Sequence, residues 1–249
     1  VGFLLKLDIS KKGKEALLYG TYFGGNDSTN FSALAIDQNN YVYITGITQS
    51  SDFPVTENSY KTKVTGGLSS AFITKFDLEK DGEEGVLYSS LLCGNGEEAG
   101  YGIAVDLEEN VYITGTTNSR EDFPISENAF QKNIYAIEGS GFFIKLDTKL
   151  CGDNGLIYGT YLGGNGSDVC SDIKIDSNGY AYICGFTTST DFPLEGYDNG
   201  WVKDGYNSFF IKIDPSKEKR KSLLVGKFLR KNISDFALAM AIDNNLNLY

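Results

Sequence analysis

The sequence has no histidine. That absence removes the commonest general base, the Ser–His and Cys–His nucleophile systems, and the imidazole ligands usual for zinc and iron. Any catalysis would rest on carboxylates, Tyr, Lys or Cys. Basic residues are also in deficit: 22 Lys and Arg against 33 Asp and Glu give a net charge of −11. Such a surface repels phosphate backbones and anionic bilayers, so neither nucleic acid nor a membrane surface is an expected partner. No run of 18 apolar residues occurs, so no membrane-spanning helix is expected. Four cysteines (Cys93, Cys151, Cys170 and Cys184) form no CxxC pair and no metal-ligand spacing. Free or partly buried thiols are the expectation for them, with one disulfide as the alternative. Nothing calls for a metal or cofactor. No signal peptide is visible, and the sequence opens on Val1 rather than Met, so a processed or truncated start is expected.

What the chain does have is aromatic residues, glycine and internal repetition. Sixteen Tyr and 16 Phe argue against disorder, and 29 Gly suit many tight turns. A chain of 27.3 kDa buries roughly 70% of its unfolded surface, enough for a core without staples. Four signatures recur in fixed order. An apolar run closed by Asp appears as ALAID at 33–37, GIAVD at 102–106, DIKID at 172–176 and AMAID at 239–243. It is followed by VYITG at 42–46, VYITG at 111–115, AYICG at 181–185 and LY at 248–249. The third signature is FLLKLD at 3–8, FITKFD at 72–77, FFIKLD at 142–147 and FFIKID at 209–214. The fourth is LYGTYF at 18–23, LYSSLL at 87–92, IYGTYL at 157–162 and a degenerate LVGKFL at 224–229.

The Asp of the first signature steps by 69, 70 and 67 residues, which is one repeat of about 69. Each segment is short, rich in β-branched and aromatic residues, and bounded by Gly, Asn or Asp, so each is a strand. The DQNN at 37–40 and DSNG at 176–179 read as tight turns. Four strands per unit, apolar on both faces and repeated, predict an all-β β-propeller of four-stranded antiparallel blades. The strands are called A to D from axis to rim.

On this frame a single propeller domain covers 1–249, with complete blades at 31–94, 101–164 and 171–230. Residues 1–25 supply strands C and D alone, and 236–249 supply A and part of B. Two readings stay open: the halves close a four-bladed ring, or the chain is a fragment of a larger propeller. The second is favoured, because Tyr249 precedes the Thr-Gly of the other copies. Either way a split blade leaves strand edges that a neighbouring chain can pair, which makes self-assembly a partner expectation.

The strings YGTYLGG at 158–164, GIAVD at 102–106, VYITG at 111–115 and DFP at 122–124 closely resemble the SBBP β-propeller repeat of bacterial and archaeal surface proteins. The resemblance covers essentially the whole chain. It implies a propeller that serves as a module of a larger exported protein, extracellular or at the cell surface, often adhesive. It brings no catalytic residues. The last copy departs from it, with Arg230-Lys231 where Gly-Gly is expected.

Candidate sites follow from loop phase. The D–A and B–C connections share one face, the expected contact surface for a glycan or protein partner. In the B–C loops, DFP at 52–54, 122–124 and 191–193 reads as structural, the Phe wedged between blades and the Asp capping a turn. A ring of carboxylates is the functional alternative. Asn26, Asn95, Asn165 and Asn232 share a D–A phase. The bland reading gives them a left-handed turn, and the functional one makes Asn26, Asn30, Asn165 and Asn232, all sequons, glycosylation acceptors. Strand A of the third blade carries Asp172 and Lys174 where the other copies have Ala or Gly. Residues two apart share a sheet face, so these two form either a silent ion pair or a polar ligand spot near the axis. Trp201, beside Tyr197, is either an interface plug or a sugar-stacking platform. Asp176 opens a loop that superficially resembles a calcium loop but lacks the downstream acid.

Three functions are therefore compatible with the sequence. The preferred one is a surface binding or structural module without evident catalysis. The others are a carboxylate-dependent carbohydrate hydrolase or lyase drawing on Glu97, Glu98, Asp168 or Asp172, and a subunit of a surface assembly completed by strand exchange.

Overall fold

The computed structural model describes residues 1–194, 205–229 and 234–249. Three four-stranded antiparallel sheets and one two-stranded sheet account for the strands. Strands β1 (Gly2–Leu7) and β2 (Leu17–Phe23) form the two-stranded hairpin. Blade 1 contains β3 (Thr29–Ile36), β4 (Val42–Thr48), β5 (Ser70–Phe76) and β6 (Val86–Leu92). Blade 2 contains β7 (Glu98–Val105), β8 (Asn110–Thr117), β9 (Ser140–Asp147) and β10 (Leu156–Leu162). Blade 3 contains β11 (Asp168–Ile175), β12 (Ala181–Thr187), β13 (Asn207–Ile213) and β14 (Leu223–Phe228). Each sheet runs in chain order from strand A to strand D, as the repeat predicts. Strand β7 packs on both β3 and β11, so the A strands of successive blades meet. Cores fill the seams between successive blades: one joins Tyr43 and Ile73 of blade 1 to Ile103 and Phe142 of blade 2, and the next joins Tyr112 and Phe143 to Ile173 and Phe209.

The repeated strings have specific physical jobs. The Gly of VYITG sits beside a register shift in strand A that recurs after Phe31, Gly100 and Cys170. A Cβ at Gly46, Gly115 or Gly185 would lie 1.9–2.0 Å from the carbonyl oxygen of Asn30, Ala99 or Val169. Only glycine lets the strands approach that closely. The Asp ending strand A caps the A–B turn: Asp37 Oδ1 accepts from the amides of Asn39 and Tyr41 at 2.8 and 3.0 Å. Asp106, Asp176 and Asp243 repeat this with the residues two and four positions on.

The other oxygen of each Asp holds the Tyr of strand B. Tyr43, Tyr112 and Tyr182 donate to Oδ2 of Asp37, Asp106 and Asp176 at 3.0, 3.0 and 2.8 Å. Directly across the ladder, Tyr43, Tyr112 and Tyr182 pair with Lys75, Lys145 and Lys212 of strand C. The ammonium groups lie over those rings at 5.1, 4.7 and 4.7 Å from the centroids. Burial first, and then the Asp, push all three phenols well above the usual tyrosine range, so they remain protonated donors. An Asp, a Tyr and a Lys from three segments are thus locked together on the same phase in every complete blade.

The split blade is present as two separate halves. β1–β2 stacks on blade 1 through Leu4 and Phe23. At the other end, residues 239–249 form a short hairpin with a single bridge, Ile242 to Leu248, beside blade 3. Among the described residues no strand pairing joins the two. The consequence shows at strand A of blade 1: Leu34 is 56% exposed, whereas its equivalents Ile103 and Ile173 are 5% and 0% exposed.

All four cysteines are free thiols, Cys151 exposed and the others buried. Burial pushes the Cys184 thiol up to about 11, and Cys170 higher still. Neither thiol ionises near neutrality.

Truncating the same repeat position in different blades has unequal expected costs. Ile103→Ala should lose about 2–5 kcal/mol in urea denaturation, the range for a buried large-to-small change, and Leu34→Ala less than about 1 kcal/mol, as at an exposed site. Equal losses would show that Leu34 is covered in solution.

Candidate functional site

The D–A and B–C loops lie on one face and are stitched together blade by blade. In the first junction Asp52 Oδ1 accepts from the Asn26 amide at 2.8 Å, and Ser50 Oγ accepts from the Asp27 amide at 2.8 Å. In the third, Asp191 and Ser189 repeat those bonds to Asn165 and Gly166 at 2.7 and 2.8 Å. The middle junction keeps Ser119 to Gly96 at 2.7 Å, with Asn118 Oδ1 taking the Glu97 amide at 2.7 Å. The DFP segments are therefore structural here: Phe53, Phe123 and Phe192 are buried, with ring centroids 4.7, 5.1 and 4.3 Å from Phe72, Phe142 and Phe209.

The D–A asparagines do not adopt the left-handed turn expected of them; none of Asn26, Asn95 or Asn165 has positive φ. The positive-φ residue in the first loop is Gly24, at 145°. The asparagines instead act through hydrogen bonds. Asn95 Oδ1 accepts from Arg120 and Asn165 Oδ1 from Thr190, each at 3.0 Å. Of the sequons, Asn26, Asn30 and Asn165 are exposed. The Asn165 amide also donates to Thr190 Oγ1 at 2.9 Å. Asn232 lies outside the described residues, as do Tyr197 and Trp201.

Beneath the loops, the first residue of strand A anchors each junction. Thr29 bonds Thr48 at 3.0 Å in the first. In the second Glu98 replaces it: Oε1 accepts from Ser119 and from Thr117 at 3.1 Å, while Oε2 has no partner of good geometry. In the third Asp168 accepts on Oδ1 from Thr187 and from Ser189 at 2.8 Å, and on Oδ2 from the Gly164 amide at 2.9 Å. Neither carboxylate has an ion-pair partner within 4 Å among the described residues. Burial pushes Glu98 up to about 7 and Asp168 up to about 6, against the opposing pull of their hydroxyl donors.

Two of the sequence candidates meet in one place. Glu97 and Glu98 line an open cavity of about 270 Å³ at the seam between blades 1 and 2, together with Tyr101, Asn118 and Glu138. Glu97, Asn118 and Glu138 are exposed, and Tyr101 is half-buried. Asp168 is fully enclosed in the next junction. Asp172 stands apart on strand A: Lys174 Nζ lies 2.7 Å from both its oxygens, and the Met240 amide donates to Oδ2 at 2.9 Å. That pair is saturated by its own neighbours. The Asp176 carboxylate is likewise filled by two amides and Tyr182, leaving no opening for calcium. Among the described residues no group of three His, Cys, Asp or Glu is placed to hold a metal ion. Tyr101, Asn118 and Glu138 were not singled out from the sequence. Glu138 occupies a phase held by Leu68 in blade 1, so the repeat register carries no signal for it.

No curated protein matches the chain. No helix among the described residues is long and apolar enough to cross a membrane. The family described as a beta-propeller repeat, SBBP, matches residues 18–54, 98–124 and 157–193. Each match runs through the D–A junction or strands A and B into the DFP loop, the segments that carry the close-approach Gly, the turn-capping Asp, the strand B Tyr and the buried Phe.

The raised carboxylates set a pH dependence. A carboxyl lifted in the folded state holds its proton more tightly there than in the unfolded chain. From the ordinary carboxylate range up to about 7 for Glu98 and about 6 for Asp168, stability therefore falls as pH rises. The urea midpoint should drop between pH 5 and pH 8, and Glu98→Gln should reduce the drop and stabilise the protein at pH 8. A variant whose profile matches the parent's would contradict this assignment.

With its blades in repeat order, the chain carries three segments that match the SBBP beta-propeller repeat.

Proposed function

We propose that the chain is a non-catalytic binding module of an exported or cell-surface protein, and that the D–A/B–C loop face is its contact surface. The carrying observation is the cavity at the mouth of the blade 1–blade 2 seam. It is the place on that face where sequence candidates converge, and it joins exposed carboxylates and an amide to the half-buried ring of Tyr101. Carboxylate and amide oxygens accept from sugar hydroxyls, and an aromatic ring offers a stacking face, so a glycan is the partner class it suits best. A protein with a hydroxyl-rich or cationic surface would use the same groups.

A carboxylate-dependent hydrolase draws less support. Glu98, whose raised carboxyl would suit a general acid, is 1% exposed and its Oε1 is held by Ser119 and Thr117. Glycosylation of the exposed sequons Asn26, Asn30 and Asn165 is compatible with an exported location.

A second reading is favoured by the uncovered apolar face at Leu34 and Ile36, 56% and 58% exposed. The chain then assembles with other copies through its split blade.

On a glycan array the soluble chain should bind at least one glycan class, and Tyr101→Ala combined with Glu138→Ala should weaken that binding tenfold or more. A blank array, or binding indifferent to the double substitution, would overturn the proposed contact surface.

A further inference from the structure

One position of the A–B turn makes the two seams between complete blades chemically different. Three residues after the turn-capping Asp stand Asn40 in blade 1, Glu109 in blade 2 and Gly179 in blade 3. All three are left-handed, with φ of 64°, 67° and 76°. Glycine adopts that backbone freely and Glu does not, but the Glu109 carboxylate has a task. In the seam between blades 1 and 2 its Oε2 accepts from Lys75 Nζ at 2.7 Å, and its Oε1 lies 3.6 Å from Lys149 Nζ. The Lys75 hydrogen bond holds the Glu109 carboxyl below its usual range, so it stays ionised. The strand C lysine of blade 1 is thus met by a carboxylate from the next blade.

The seam between blades 2 and 3 has the lysine without the carboxylate. Lys145 occupies the phase of Lys75, but the turn that faces it carries Gly179, which has no side chain. A Cβ at Gly179 would meet only Tyr112 Oη, at 3.3 Å, beyond its own chain neighbours. Lys145 also has one aromatic ring fewer. Lys75 lies over Tyr41 and Tyr43, whereas Lys145 lies over Tyr112 alone, because Asn110 stands at the phase of Tyr41. Its one ion-pair partner within 4 Å among the described residues is Asp106 Oδ2, at 3.4 Å. Beside Gly179 lies an open cavity of about 600 Å³, with Lys145 on its wall.

We infer that this cavity binds a carboxylated sugar of the uronic acid class, with its carboxylate on Lys145 as the Glu109 carboxylate sits on Lys75. The protein's own Glu109 is the pattern for the contact, since it brings the same chemical group to the same phase of the preceding seam. The rest of the lining selects the rest of the ligand. Glu108, Ser177 and Asn178 are exposed on the cavity wall, and their oxygens accept from sugar hydroxyls. Asp106 and Asp176 are engaged by turn amides and tyrosines, yet with Glu108 they add negative charge that disfavours a ligand with several anionic groups. One carboxylate and several hydroxyls satisfy both conditions. The volume falls within the roughly 300–1,000 Å³ usual for small-ligand sites. The cavity is at the Asp–Tyr–Lys end of the blades, opposite the loop face, so this site stands independently of the contact surface proposed above.

The test is a titration of the isotope-labelled protein, followed by amide chemical shifts, with sodium glucuronate, with glucose and with the blocked peptide acetyl-Ala-Glu-Ala-amide. Glucuronate should produce saturable shifts at Lys145 and Gly179 and bind at least tenfold more tightly than glucose. Gly179→Glu places the missing carboxylate in open space, on a backbone that Glu109 shows a Glu can adopt, and should weaken glucuronate binding at least tenfold. Lys145→Met should do the same. Glu109→Gly, which releases Lys75 in the same way, should add saturable shifts at Lys75. Glucuronate that binds no better than glucose, or that binds a folded Gly179→Glu protein as it binds the parent, overturns the inference. Saturation by the peptide and not by glucuronate overturns the sugar as ligand while leaving the carboxylate site. A Glu109→Gly protein whose Lys75 does not respond overturns Glu109 as the pattern for the contact.

Discussion

A sheet that is apolar on both faces cannot be stable alone, and this constraint organises the whole molecule. Strands such as β5 and β8 are buried along essentially their entire length. They achieve this because the sheets stack face to face, blade 2 between blades 1 and 3, and blade 1 between blade 2 and the β1–β2 hairpin. Burial at a given repeat position therefore depends on what stands next to it rather than on the residue itself. Ile103 and Leu34 have the same phase and nearly the same chemistry, yet one is enclosed and the other faces solvent.

Within that stack the repeat specifies three kinds of linkage. Close backbone approach at Gly46, Gly115 and Gly185 brings strands A and B together. The Asp–Tyr–Lys groups fasten one end of each blade, and the Ser, Thr and carboxylate bonds between D–A and B–C loops fasten the other. The two ends differ in consequence. At the Asp–Tyr–Lys end Lys145 and Lys212 lie 3.4 and 3.9 Å from Asp106 and Asp176. At the loop end Glu98 and Asp168 are buried with no ion-pair partner within 4 Å among the described residues, and burial raises both carboxyls. The proposed contact surface lies at this second end.

The fold was legible in the sequence because its signal is repeated. Four strings in constant order, each with strand chemistry, fix the blade and its strand order, and the residues that define the strings turn out to be those that make the linkages. The candidate site was legible only in part. Glu97 and Glu98 were among the carboxylates singled out, but Asp168 and Asp172, on the same sequence grounds, are enclosed or ion-paired. Alternation alone does not say which polar residue of an inner strand meets solvent. Tyr101 and Glu138 went unseen because a repeat reveals what recurs, and both stand at positions that vary between copies. The asparagines show a third limit. A left-handed backbone was expected of them, whereas Asn95 and Asn165 are held by hydrogen bonds across the loops.

The central claim is that, among the described residues, three sheets have four strands and one has two, with β1 paired on a single edge. Native-state amide hydrogen exchange at submicromolar protein concentration, where association between copies is suppressed, reads this directly. Amides of β5, β9 and β13 should exchange only on global opening, while outward-facing amides of β1 should exchange orders of magnitude faster. Protection of β1 equal to that of β5 would mean that its edge is already paired within one molecule, and the account of a two-stranded sheet with an open edge would be wrong.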